Sequence, residues 1–124
     1  MGIITKRMKL EGSQGERDAD AMFDSGASYS FIRRDVAEQV ETPVSLRHAM
    51  DFEMAERGAT VTVSERVTLD FYIDGSRFSD EFLVFDGLSE EVIIGAKTMQ
   101  AWHMKIDMEH EDVIVPASRK LKLM

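Results

Sequence analysis

No cysteine occurs among the 124 residues. That excludes disulfides, thiol catalysis and zinc-thiolate sites together, and it is compatible with a reducing compartment. No apolar run approaches the roughly 20 residues that a bilayer span needs, so no membrane partner is expected. The opening "MGIITKRMKL" sets basic residues behind a short apolar stretch and has no long h-region, so it does not read as a signal peptide. Lys6 stands where N-myristoylation wants Ser or Thr. A cytoplasmic protein is the expectation. The sequence also lacks an H-E-x-x-H spacing, and His48, His103 and His110 read as surface or turn residues. "HEDV" is too short for a calcium loop, so neither a metal nor any other cofactor is expected. No repeat, linker or low-complexity segment interrupts the chain.

Positive charge is scarce: 15 Lys and Arg against 23 Asp and Glu leave a net charge of −8. Residues 1–10 and 118–124 each carry three cations and no acid, so the body between them is more acidic than the whole. Such a surface repels a phosphate backbone, which argues against a nucleic-acid partner. The basic ends read as polar faces of terminal strands.

What is present is alternation. Length and a 44% hydrophobic content suggest one domain over 1–124 with a modest core. "TKRMKL" and "KLKLM" both have period two, the mark of a half-buried strand. "EGSQGE" reads as a turn, and a strand then runs through Ala19, Ala21 and Phe23 to Asp24. "RRDVAEQV" (33–40) reads as a short helix with Val36, Ala37 and Val40 on one face, ended by Thr42-Pro43. The middle is strand-rich: "VSLRHAMDFEMA", then "ATVTVSERVTLDFYI", then "RFSDEFLVF", with a hairpin signal at Asp74-Gly75 and a turn at Asp86-Gly87. "EVIIG" reads as a short buried strand, "AKTMQAW" as one or two helical turns, and "MKIDMEHEDVIV" as a closing hairpin around 109–112. The nine methionines lack helical or heptad spacing and read as core filler. The class is mostly β, a small closed or folded-over sheet with one or two short helices.

One stretch stands apart. "AMFDSGASYSFI" (21–32) brings an apolar run to a lone acid, Asp24, and turns at once through Ser25 and Gly26. Asp, Ser and Gly are all common in turns, so the triplet alone could be a turn and nothing more. "GASYS" begins like a G-x-S-x-G nucleophile elbow, but Ser30 occupies the last glycine position.

The wider pattern resembles the retropepsin-like aspartic protease family. "AMFDSGASYSFI" is similar to its signature of two apolar residues, Asp, Thr or Ser, Gly and Ala. "EVIIGAKTM", about seventy residues on, resembles its second signature, an apolar pair, a glycine and a short helix. "AWHMKIDMEHEDVIV" resembles the closing hairpin of cellular and bacterial members, and the likeness runs over roughly residues 8 to 116. Two places depart from it, one at Ser28-Tyr29 and one at Ala96. Ser28 and Tyr29 stand where members often carry Asp or Asn, and Ala96 where viral members often carry Arg. Viral members use those positions in an ion pair that braces a dimer.

The resemblance implies a single-domain, acid-protease-like closed β-barrel, active as a two-fold homodimer on a peptide or protein substrate. Asp24 would be the catalytic acid, and Ser25, Gly26 and Ala27 its loop. Gly26 would permit a backbone conformation and close approach that a Cβ obstructs, and Ser25 would link the two loops across the axis. Ser28 would bond the substrate backbone, under a flap of Met54, Ala55, Glu56, Arg57 and Gly58. Ile93, Ile94 and Gly95 would support the aspartate loop. Peptide hydrolysis by this chemistry needs two carboxylates sharing a proton, one drawing a proton from water and one donating to the carbonyl oxygen. Only one signature aspartate is present, so its companion would come from a second copy. Activity would favour acidic to near-neutral pH. The residues also fit a non-catalytic binding or dimerisation module of the same fold, or an unrelated β-barrel with a turn aspartate.

Overall fold

The computed structural model describes residues 2–54 and 58–116. Two hairpins lay down most of the sheet. β1 (Ile3–Gly12) and β2 (Gly15–Asp24) pair antiparallel from Ile3↔Asp24 to Gly12↔Gly15. Alternation in β1 buries Ile4, Met8 and Leu10, and in β2 it buries Ala19, Ala21 and Phe23. Lys6 falls on the inward register of β1 and is satisfied at the barrel's margin. Its Nζ donates to Asp112 at 2.6 Å and lies 3.2 Å from Asp74.

β3 (Phe31–Arg33) leads into α1 (Arg34–Val40), which buries Val36, Ala37 and Val40 as its spacing requires. β4 (Val44–Met54) and β5 (Ala59–Ile73) form a long hairpin, and β5 continues into β6 (Ser76–Phe85). The β5–β6 turn is the expected Asp74-Gly75, with Ile73↔Ser76 paired and both turn residues at positive φ (50° and 82°). That is the primed geometry that matches strand twist, and Gly75 adopts it without steric cost. β7 (Val92–Ile94) and α2 (Ala96–Ala101) follow. β8 (Lys105–Asp107) and β9 (Asp112–Ile114) make a separate two-stranded sheet, the expected closing hairpin.

The sheet order is β1-β2-β7-β3-β6-β5-β4, and β1 also pairs with β5 through Lys9↔Tyr72 to Glu11↔Asp70. Six strands therefore close into a barrel, with β4 outside on β5. The β1–β2 and β5–β6 sheets meet over one core containing Phe23, Phe71, Phe78 and Phe82. The fold is mostly β with two short helices, as the alternation implied. Strand β3 was not legible: three residues carry no periodicity, and it forms because β6 and β7 flank it. No helix among the described residues is long and apolar enough to cross a membrane. The expected terminal strand "KLKLM" lies outside the described residues.

Candidate active site

Asp24 is the last residue of β2, half-buried, and the chain turns immediately after it. Its Oδ1 accepts the Gly26 amide at 2.8 Å, and its carbonyl accepts the Ala27 amide at 3.1 Å. This is an Asx-type turn, in which the side chain mimics a backbone acceptor. No cation among the described residues pairs with Asp24. Ser25 is exposed and tied to the first strand, because Gly2 N donates to its Oγ at 3.2 Å and its own amide donates to the Gly2 carbonyl at 3.4 Å. Positive φ among the described glycines occurs at Gly15, Gly58 and Gly75. Gly26 is not among them, so its part in the turn is its amide rather than a left-handed backbone.

β7 supports the loop from below. It runs parallel to β2, with Met22↔Ile93 and Phe23↔Ile94 in register, and antiparallel to β3. Ile94 is fully buried in the main core, while Ile93 belongs to a second cluster under the loop. Past β7 the chain passes so close to the loop that a β-carbon at Gly95 would lie 2.6 Å from the Tyr29 carbonyl carbon and 2.9 Å from the Ala27 oxygen. The first amides of α2 then close onto the loop. Ala96 N donates to the Ala27 carbonyl at 2.7 Å and Lys97 N to the Ser28 carbonyl at 3.1 Å. Helix amides lacking an intrahelical partner need acceptors, and here the aspartate loop supplies them.

Two buried hydroxyls finish the attachment. Ser30 Oγ accepts the Gly95 amide at 3.0 Å and lies 2.6 Å from Thr98 Oγ1. Both residues are almost wholly enclosed, at 4% and 2% exposure. In the sequence, Ser30 stands out only as the residue that spoils a nucleophile elbow, and Thr98 does not stand out at all. The available signal was a small hydroxyl residue beside each signature, at Ser30 and Thr98.

On the other side of the loop, the β4–β5 hairpin arm leans in. Phe52 meets Tyr29 edge-on at 5.5 Å and Phe31 at 5.2 Å. Met22 and Ala27, on either side of Asp24, pack against the same cluster as Met50 and Phe52 of the arm. The aspartate loop and the hairpin thus share one apolar cluster.

The family model of Ty3 transposon peptidases matches residues 5–109. The chain belongs to the Ty3 transposon peptidase family. Among solved structures, the chain is similar to the retroviral protease-like domain of Ddi1 from Leishmania major. That match has a TM-score of 0.63 and 21% identity, and covers 93% of this chain and 85% of that one. It is also similar to EIAV protease complexed with the inhibitor HBY-793, with a TM-score of 0.61, 14% identity and coverage of 86% and 94%. Both are likenesses of fold: a retropepsin-like barrel. No curated protein sequence matches the chain.

The remaining expected site residues fall as follows. Ser28 is exposed at the loop, its carbonyl engaged by α2. Met54 ends β4 opposite Ala59, and Gly58 occupies the start of β5's turn at φ 60°. Ala55, Glu56 and Arg57, the centre of the expected flap, lie outside the described residues. A groove of about 420 Å³ opens beside Ser25, lined chiefly by Met99, Met104, Ile106 and Met108. Met108 is 55% exposed, and so not the core filler its composition suggested, whereas Met8, Met99 and Met104 are buried. His48, His103 and His110 are exposed as expected. His110 Nδ1 lies 2.7 Å from Asp107 at the end of β8, and with Glu109 they cluster at the β8–β9 tip. The Asp107 carboxyl is held below its ordinary range by the His110 hydrogen bond.

Proposed function

We propose that the peptidase is an aspartic endopeptidase that works as a two-fold homodimer, with Asp24 of each copy meeting across the axis. The observation that carries this is the loop itself. A half-exposed carboxylate stands on a turn held by backbone bonds from Gly26, Ala27, Ala96 and Lys97, so its position is fixed before any substrate arrives. Preorganised charge is what such catalysis requires. The sequence holds one Asp-Ser-Gly turn of this kind, and symmetry provides the second carboxylate.

Two like charges at hydrogen-bond distance cannot both stay ionised, so the pair would hold one proton between them. The ionised member draws a proton from water, and the protonated member donates to the carbonyl oxygen of the scissile bond. The apolar groove beside Ser25 favours a second copy as its occupant. It is contiguous with the aspartate loop through Ser25, and exposed Met108 lines it. The Ser25 hydroxyl, which accepts from Gly2, keeps its proton to donate across the axis.

A peptide would lie as an extended strand over the loop, its backbone meeting Ser28, under a flap of Met54 to Gly58. Closure of that flap would exclude water from the bond under attack. The test is cleavage of fluorescein-labelled casein between pH 4 and 7, with and without a general aspartic protease inhibitor. Inhibitor-sensitive cleavage supports the proposal. A folded dimer that cleaves nothing would mark the chain as a binding module of the same fold.

A further inference from the structure

The outer part of the β4–β5 arm, residues 50–54 and 59–63, has ladder pairing only within itself, since β4 is an edge strand paired with β5 alone among the described residues and β5 meets β6 only from Arg66 onward. Its pairing breaks near the base. Val44 and Ser45 are in register with Arg66 and Glu65, and pairing resumes at Met50↔Val63. Residues 46–49 thus face a single residue of β5, an irregularity that frees the arm to bend against the barrel. What sets the arm's resting position beside the aspartate loop is then side-chain contact.

That contact runs through Met50, Phe52 and Val63 against the cluster that holds Phe31, and through Tyr29. One side of its ring carries the Lys97 ammonium, 4.2 Å from the centroid. The Phe52 ring of the arm meets it edge-on at 5.5 Å and 74°. Lys97 is itself anchored, because its amide donates to Ser28. Tyr29's own backbone rests against Gly95. The residue after the aspartate loop is therefore clamped to α2 by a cation and touches the arm with its ring. Ring quadrupoles favour both arrangements, a cation over the face and a perpendicular neighbour.

We infer that Tyr29 is a positioning residue: gripped by Lys97 and abutted by Phe52, it couples the placement of the hairpin arm to the aspartate loop. Loss of the cation lets the ring turn away from Phe52 and releases the arm. This deepens the endopeptidase reading, because a released arm would weaken substrate binding and raise KM while leaving kcat nearly unchanged.

The experiment reads the arm directly, in the resting protein. Amide hydrogen exchange at residues 51–53 and 60–63 is compared in wild type, Lys97→Met, Lys97→Arg and Tyr29→Phe. Lys97 is exposed, so Lys97→Met leaves the core intact. An exposed cation–π contact corresponds to about a two- to fivefold change in an equilibrium, so exchange in the arm should quicken by that factor in Lys97→Met. Lys97→Arg, which retains a stacking cation, and Tyr29→Phe, which retains the ring, should exchange at the wild-type rate. Unchanged arm exchange in Lys97→Met, or failure of Lys97→Arg to restore it, overturns the inference. The result does not depend on cleavage, so a protein inactive on casein would sink the endopeptidase reading and leave this one standing or falling on exchange alone.

Discussion

Gly95 lies beneath Tyr29 with no room for a side chain between them. A β-carbon there would stand 2.6 Å from the Tyr29 carbonyl carbon. The obstacle is backbone on both sides, so no rotamer change relieves it. Gly95→Ala must push α2 away from the aspartate loop and break the Ala96 and Lys97 bonds to it. Overpacking of this kind costs about 1–3 kcal/mol. The expected outcome is a melting temperature lower by several degrees and loss of casein cleavage, measured by calorimetry and assay on the same preparation.

The Ser30–Thr98 pair gives a second prediction. Ser30→Ala leaves the Gly95 amide and the Thr98 hydroxyl buried without this partner. Orphaning a buried polar group costs about 1–3 kcal/mol. Thr98→Val should cost less, because Ser30 keeps the Gly95 amide. The double variant should be more stable than the two single losses added together, since the groups share one network. Urea unfolding of all four proteins measures this, and strict additivity would contradict a shared network.

Lys6 joins the closing hairpin to the barrel, and that link is pH-dependent. The Asp112 hydrogen bond raises the Lys6 ammonium above its ordinary range against an opposing desolvation, and the same bond from Lys6 holds the Asp112 carboxyl below its own. A lowered carboxyl contributes stability above the unfolded carboxylate range and loses it as pH falls through the folded value. A raised ammonium contributes below the unfolded lysine range and loses it as pH rises through the folded value. The link is therefore at full strength from about pH 5 to pH 10. Asp112→Asn should lower the melting temperature slightly at pH 7, with the gap to wild type shrinking by pH 3. A gap that persists at pH 3 would place the effect in packing.

The groove beside Ser25 makes the dimer testable without touching the acid. Met108→Asp puts a charge on a residue already 55% exposed, where a substitution alters the stability of a lone chain by no more than about 0.5 kcal/mol. Sedimentation should show wild type as a concentration-dependent dimer at micromolar concentration and the variant as a monomer without cleavage. A variant that stays dimeric would move the interface elsewhere.

Much of the barrel could be read from local pattern, because strands half-buried on a closed sheet alternate. Ala19, Ala21 and Phe23, then Val67, Leu69, Phe71 and Ile73, all point inward as their spacing implied. Asp74-Gly75 fixed its hairpin because its turn chemistry is contained in two residues. The features that escaped depend on distant partners. Strand β3 exists through β6 and β7, Lys6 is tolerated inward through Asp112 and Asp74, and the Ser30–Thr98 contact spans 68 positions. The turn after Asp24 was legible because its bonds are local. The backbone bonds that hold that turn to α2 were not.

In the proposed dimer, one active site takes an Asp24 from each of two chains. Mixing wild type with Asp24→Asn at fixed total concentration tests it most directly. If each site needs both acids and the chains exchange freely, every mixed dimer is dead, and casein cleavage falls with the square of the wild-type fraction. Cleavage that falls in simple proportion to that fraction would mean that each chain works alone.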